Sequence, residues 1–280
     1  MEAAGRHGGY DEHEFIAELY DLEYTDAGVF ASRPARMKDV GFFVEYSKAA
    51  NGETLELGCG TGRVLIPTAS AGCKITGLDL SEFMLRKCSE NLASQTEETR
   101  SRVRLVRGDM TDFDLKTRFA LVTIPFRPFQ HLVTVAEQRA CLSCIKRHLQ
   151  PNGRLVFDVF NPRIDRLHDP KYQVESEDMP ETALPDGRRL RRTNRVSAFH
   201  RDQQHNDIEI IYYLSYPDGR TQRLVQFFPM RYFFRYEVEH LLELSGFRVT
   251  DLFGDFDRSS YSSDSPEMIF VAERRGRSLT

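Results

Sequence analysis

The stretch TLELGCGTGRVLIP, residues 54–67, narrows the fold more than any other part of the chain. A short apolar run ends at Leu57, alternate glycines follow at Gly58, Gly60 and Gly62, and an amphipathic segment begins. A strand that turns sharply into a helix needs glycine there, because without Cβ the backbone can bend tightly and approach a ligand. Seventeen residues past Gly62, Asp79 closes the next apolar run, placed to accept hydrogen bonds from a ribose diol. Glycines that only made a turn would need no acidic residue at the neighbouring strand end. A dinucleotide site makes similar demands, with the spacing GxGxxG and a pyrophosphate on the helix N-terminus. Here the spacing is GxGxG and the sixth place holds Arg63, so the third close-packing glycine is missing.

From Thr54 onward short apolar runs alternate with amphipathic stretches, the pattern of βαβ units around a parallel sheet. The expected strands are 54–57, 74–79, 103–107, 120–124 and 154–159, and the expected helices 63–71, 82–93 and 133–149. Gln150-Pro151-Asn152-Gly153 stops the last helix. After Asn161-Pro162 the pattern changes. Residues 163–188 are polar and proline-bearing, then 190–200, 208–216 and 222–234 read as longer strands, with Pro217-Asp218-Gly219 as a hairpin turn. A helix at 236–245 closed by Gly246, then strands at 247–253 and 268–272, complete the chain. The expectation is an α/β, Rossmann-like fold: seven strands, mostly parallel with one antiparallel member, helices on both faces, and an antiparallel β insertion after the fifth strand. Residues 1–50 read as an N-terminal helical lid, 51–162 and 235–275 as the core, and 163–234 as the insertion on the substrate side.

Composition excludes other classes. With 40% hydrophobic residues, 20 Phe and 11 Tyr among 280, the chain can build a core and is not disordered. No run approaches eighteen apolar residues, so no membrane span is expected. The start, MEAAGRHGGYDEHEF, lacks the basic-then-apolar order of a secretory leader, and the cytoplasm is the expected compartment. Five cysteines are an odd count, which suits reducing conditions. Cys141 and Cys144 fall within a helix and read as core residues; no pair has zinc-ligand spacing, so no metal is expected. The net charge of −4 argues against a general affinity for nucleic acid. Arg188, Arg189, Arg191, Arg192 and Arg195 form a basic cluster that would either grip RNA or an acidic partner, or protect an edge strand.

Taken in order, LELGCGTGR, GLDLSEFML and GDM at 108–110 resemble the first three motifs of class I S-adenosylmethionine-dependent methyltransferases of the bacterial small-molecule type. The resemblance covers residues 40–160 strongly and the terminal strands weakly. It implies that Gly58 and Gly60 line the methionine part of S-adenosyl-L-methionine and that Asp79 binds both ribose hydroxyls. Leu80 and Met84 would flank the adenine, and Asp109 would take its exocyclic amine beside Met110. Ile124 or its neighbour would offer a backbone carbonyl to the cofactor. Glu56 would orient the loop; Arg63 would pair with Glu56 or with the cofactor carboxylate, or only cover the sheet edge. The physics agrees, since an adenosyl sulfonium carries no phosphate and needs a diol acceptor, an apolar adenine slot and an acceptor for its amines. The product would be S-adenosyl-L-homocysteine.

Ligands of open α/β sheets lie beyond the carboxyl ends of the strands. The segment TIPFRPFQHL, residues 123–132, should therefore face the transferred methyl group. It resembles the same region of bacterial small-molecule methyltransferases and lacks the [Asn/Asp]-Pro-Pro-[Tyr/Phe] element common in enzymes that methylate base amino groups. His131 is the candidate general base, because histidine ordinarily titrates near neutrality; otherwise it caps the next helix or is bonded within the wall. Phe126 would line the acceptor pocket, and Arg127 would clamp a carboxylate or phosphate or stand as a surface arginine. Tyr20 and Tyr24, four apart in ELYDLEY, share a helical face. The resemblance places such tyrosines in a lid with a phenol near the reacting methyl; the alternative is core packing. The expected function is methyl transfer to a small-molecule acceptor by a monomer or homodimer, without membrane or nucleic acid. The alternatives are an RNA or protein methyltransferase using the arginine-rich strand, and a non-catalytic S-adenosylmethionine-binding protein.

Overall fold

The computed structural model describes residues 9–24 and 38–275. Residues 1–8 and 25–37, parts of the expected lid, lie outside the described residues. In chain order the core begins with helices α1 (Glu14–Tyr24) and α2 (Lys38–Ala49), then β1 (Thr54–Leu57), α3 (Leu65–Ser70), β2 (Ile75–Asp79), α4 (Glu82–Ala93), α5 (Glu97–Arg100) and β3 (Val103–Arg107). β4 (Phe119–Ile124), α6 (Val135–His148) and β5 (Leu149–Phe160) follow. Strands β6 (Ser176–Ala183), β7 (Arg189–His200), β8 (His205–Ser215) and β9 (Thr221–Arg231) come next, before α7 (Arg235–Leu244), β10 (Phe247–Phe253) and β11 (Glu267–Arg274). The main sheet has seven strands in the order β10-β11-β5-β4-β1-β2-β3. β11 runs antiparallel to both its neighbours and the remaining pairings are parallel.

Side-chain alternation explains why this sheet needs helices on both faces. Along β5, Leu155, Phe157 and Val159 point into one core with Leu142, Ile145, Val238 and Leu242 from α6 and α7. Val156 between them points to the other face, where Phe42 and Phe43 of α2 pack with Leu121, Ile269 and Val271. Burial on both faces leaves few places for polar residues, so residues 155–159 read as an apolar run broken only by Asp158. Helix α2 thus belongs to the cover of the sheet. Cys141 and Cys144 are buried in the α6 core, and all five cysteines are free. Among the described residues no helix is long and apolar enough to cross a membrane.

The second sheet is antiparallel, in the order β6-β7-β8-β9. Its β8–β9 hairpin turns through Pro217-Asp218-Gly219, closed by Tyr216 N–H to the Arg220 carbonyl at 2.9 Å, with Gly219 at φ 86°. Sequence reading expects three strands; the structure has four. β6 carries Pro180 and buries only Met179, so no apolar alternation announces it. Proline is tolerated because β6 is an edge strand. This also corrects the reading of β7 as an edge: it is an interior strand, flanked by β6 and β8.

Helix α1 packs against this sheet, with Leu19 among Met179, Leu184, Leu190, Tyr212 and Leu214. On its other side Asn91 of α4 donates to Asp21 at 2.7 Å and Arg86 pairs with Glu14. The helix therefore bridges the insertion and the core.

Candidate active site

One cleft opens at the carboxyl ends of β1 to β4, where loop backbone and strand-end carboxylates meet. It is lined by Gly58 and Gly60, by Asp79, Leu80 and Met84, by Asp109 and Met110, and by the 125–132 wall, with Tyr10 and Tyr20 against it. The two glycines serve different purposes. At Gly60, φ is 53° and a Cβ would meet no atom within 4 Å, so the open space above this backbone is the cleft itself. At Gly58, φ is 69° and a Cβ would stand 2.8 Å from Pro128 Cγ. Glycine here lets the β4 wall close onto the β1 loop.

Asp79 fixes the loop. Its Oδ2 accepts the Gly60 N–H at 2.7 Å and its Oδ1 accepts the Ser81 N–H at 2.9 Å. Burial raises its pKa while these N–H groups oppose the rise. Each carboxylate oxygen keeps a further lone pair for a ligand hydroxyl. Asp109 commits Oδ1 to the backbone N–H and hydroxyl of Thr111, both at 2.7 Å, which presets the carboxylate beside Met110. Leu78, Leu80, Met84, Met110 and Leu132 add apolar lining. A diol acceptor, an amine acceptor, an apolar slot and an open backbone cradle fit an adenosyl ligand. Among the described residues no lysine or arginine lines the cleft, so a pyrophosphate has no ammonium or guanidinium partner there.

The wall beyond β4 begins with two consecutive left-handed residues, Phe126 (φ 65°) and Arg127 (φ 70°). A 3-10 turn, Pro128–His131, then carries His131 into the cleft. Its ring meets Phe228 edge-on at 5.2 Å and Tyr10 at 6.1 Å. It does not cap α6, because Thr134 and Glu137 form a capping box there. Tyr20 lines the cleft, and burial raises its phenol pKa, opposed by Arg63.

Four expected site residues stand behind the lining. Ile124 is buried in the main core. Glu56 is buried in β1 with Oε2 unpartnered, and burial pushes its carboxyl up to about 8. Tyr24 accepts a hydrogen bond from Arg192 at 2.8 Å and packs on Phe126, with 5.3 Å between centroids. Arg127 corrects the clamp and surface readings alike: it is ion-paired to Glu267, faces Asp158 at 3.7 Å and lies over the Phe160 ring. Arg63 does not pair with Glu56. Its guanidinium is held bidentately by Asp39, at 2.9 and 2.5 Å, and sits 4.7 Å from the Phe126 centroid.

Tyr10 is among the lining residues that sequence reading misses, with Asp11 and Leu78. Its carbonyl accepts the Ser81 hydroxyl at 2.5 Å, while Ser81 Oγ also caps α4 through Met84 N–H at 3.1 Å. Tyr10 precedes α1 with no periodic context, so nothing local announces it. Ser81→Ala is expected to cost about 1 kcal/mol through the lost cap. It should also raise proteolytic cleavage near Tyr10; unchanged stability and cleavage would remove the latch.

The five arginines of the basic cluster face carboxylates: Arg188 meets Asp186 and Glu18, Arg189 meets Glu181, and Arg191 meets Glu177. Arg192 is buried against Asp178, and Arg195 pairs with Glu209. Among the described residues one group, His200, His205 and Asp207, has metal-ligand composition. One ligand atom from each lies within 4.8 Å of the others, the two rings stack at 4.3 Å and 18°, and His200 bonds Asp207 at 2.9 Å.

Residues 54–153 match the model of a methyltransferase domain. A similar curated protein, dTDP-3-amino-3,6-dideoxy-alpha-D-glucopyranose N,N-dimethyltransferase of Streptomyces fradiae, is 33% identical over 143 residues. That match covers 51% of this chain, and the chain spans about half of that relative's length, 52%. The methyltransferase CcbJ of Streptomyces caelestis has the same fold over 95% of this chain and 98% of its own, with TM-score 0.71 and 23% identity. CalS10 of Micromonospora echinaspora, an amino pentose methyltransferase solved with S-adenosylmethionine bound, superposes with TM-score 0.63 at 25% identity, covering 87% of this chain and 95% of its own.

Proposed function

We propose that this chain, which belongs to the class I S-adenosylmethionine-dependent methyltransferases, methylates the amino nitrogen of a small molecule of the amino-sugar class. The observation that carries the reading is the division of the cleft. One half presents Asp79, Asp109 and Met84, and the other presents Pro125, Phe126, Pro128 and His131. The first half suits the cofactor. The second is apolar, with one ionisable side chain, and it disfavours a charged ammonium in its free, unpaired form. An amine that arrives as its ammonium must shed a proton before its lone pair is available, and His131 would take it. The Streptomyces fradiae N,N-dimethyltransferase and CalS10, which act on amino sugars by their names, supply the acceptor class.

The cofactor, when bound, supplies a methyl group on a sulfonium that departs as a neutral thioether. Everything else falls to the chain. Asp79 and Asp109 hold the adenosyl half, Phe126 and Pro128 exclude water, and alignment of the amine contributes much of the rate. Helix α1 and the insertion 163–234 close the mouth as a lid over the 51–162 and 235–275 core, which accounts for the Leu19 packing. Five free cysteines suit a reducing cytoplasmic setting. The arginine-rich strand offers RNA no comparable support, because each arginine faces a carboxylate.

A dTDP-amino sugar assayed with methyl-labelled cofactor tests the proposal; a labelled N-methyl product is expected. Binding of S-adenosylhomocysteine with no product across amines, hydroxyls and carboxylates would favour a non-catalytic binding protein. Salt-dependent RNA retention would favour an RNA enzyme. Asp79→Ala should weaken S-adenosylhomocysteine by roughly 1.5–3 kcal/mol, as for hydrogen bonds to a charged group. Unchanged calorimetric affinity in a folded variant would put the ribose elsewhere.

A further inference from the structure

Two successive residues without glycine's freedom hold left-handed conformations where the wall leaves β4, and something outside the cleft must keep them there. The Phe126 N–H donates to Asp158 Oδ1 at 2.8 Å. Asp158 sits on β5 and is fully buried. Arg127 spans from its Nε, 3.7 Å from Asp158 Oδ2, to Glu267 at the start of β11, and its guanidinium lies 3.8 Å over the Phe160 ring. The turn continues directly into the 3-10 segment, with Gln130 N–H on the Arg127 carbonyl at 2.9 Å. Gln130 is in turn fixed by Phe160 N–H at 2.9 Å and by its own bond to the Arg231 carbonyl at 2.6 Å.

Packing alone does not call for a carboxylate at 158. Its same-face neighbours along and across the sheet, Val156 and Ile269, are apolar, and a buried ion pair is commonly replaceable by hydrophobic residues without loss. Two buried carboxylates serving one guanidinium are costlier still. What they hold is the segment whose Phe126 and His131 face the cleft.

We propose that Asp158, backed by the Arg127–Glu267 pair, is a positioning residue that sets where Phe126 and His131 stand in the acceptor half of the cleft. The proposal rests on the reading of that half as the acceptor side. Asp158 itself touches no reacting group.

The chain contains no tryptophan, so Phe126→Trp places a single indole at the wall. Adding Asp158→Ala to this reporter should shift its emission to longer wavelength and raise acrylamide quenching about twofold or more, as a side chain loses its packed position. Asp158→Asn keeps an oxygen for the Phe126 N–H and should leave both near the parent. Adding an Asp158 substitution should leave S-adenosylhomocysteine affinity as it is in the corresponding parent. With a dTDP-amino sugar as probe, Asp158→Ala should lower kcat/KM by roughly 10–100-fold, while Asp158→Asn stays far closer to wild type. Should Asp158→Ala fail to fold, Asp158→Ser takes its place. Parent-like emission and quenching in the alanine or serine variant overturn the proposal, as does an equal loss in Asp158→Asn. The fluorescence arm needs no acceptor, so absence of turnover on amino sugars refutes the acceptor reading without deciding this one.

Discussion

Replacing His131 with alanine is expected to lower turnover by roughly 10²–10⁴-fold while leaving S-adenosylhomocysteine affinity nearly unchanged. The expectation follows from position. His131 ends a short turn anchored through Gln130, and its ring is walled by Phe228 and Tyr10 within the cleft. A base that must be neutral gives a rate that falls on the acid side of its titration, and His131→Ala should erase that limb. If alignment alone drove transfer, the loss would instead follow Phe126→Ala or Tyr20→Phe. Wild-type turnover in His131→Ala would leave the histidine as part of the wall.

Thermal stability is expected to fall as pH rises from the ordinary carboxyl range near 4.5 through about 8, with Asp158 contributing up to about 6, Glu267 up to about 7 and Glu56 over the whole span. Three buried carboxyls are pushed above their usual range, Asp158 to about 6, Glu267 to about 7 and Glu56 to about 8, in each case chiefly by burial. A carboxyl whose folded pKa is raised binds its proton more tightly in the native state. That contribution is complete below the unfolded pKa and is lost as pH climbs toward the folded one. For Glu56 the two pH units between 6 and 8 amount to roughly 3 kcal/mol at 1.36 per unit. That corresponds to a fall in Tm of roughly 5–10 °C for a domain of this size. Glu56→Gln mimics the protonated form and should flatten most of this slope. A Tm constant from pH 6 to 8.5 in wild type would mean that Glu56 is ionised throughout and has a partner.

Much of the cofactor half was legible because each requirement is local. A glycine is favoured where the backbone turns left-handed, as at Gly58 and Gly60, and required where another segment closes on it, as Pro128 does on Gly58. An acidic residue at a strand end can be read from the end of the apolar run, so Asp79 and Asp109 stand where expected. The 125–132 wall was legible only as a segment. Which of its side chains would face inward depended on two left-handed residues that no sequence signal requires.

By itself the sequence determined the βαβ order, the single antiparallel strand, the inserted hairpins and the strand-end carboxylates, since apolar periodicity and turn chemistry act over a few residues. Tertiary structure decided the pairings. Arg63 is held by Asp39 at 24 residues' separation, and Arg127 by Glu267 at 140. It likewise placed Tyr10 on Ser81, 71 residues away, and matched each arginine of the basic cluster with a carboxylate. The physical reason is one of range. A buried charge must find an opposite charge when water is removed, but the sequence states only that a partner is needed, and the packing of distant elements selects which one.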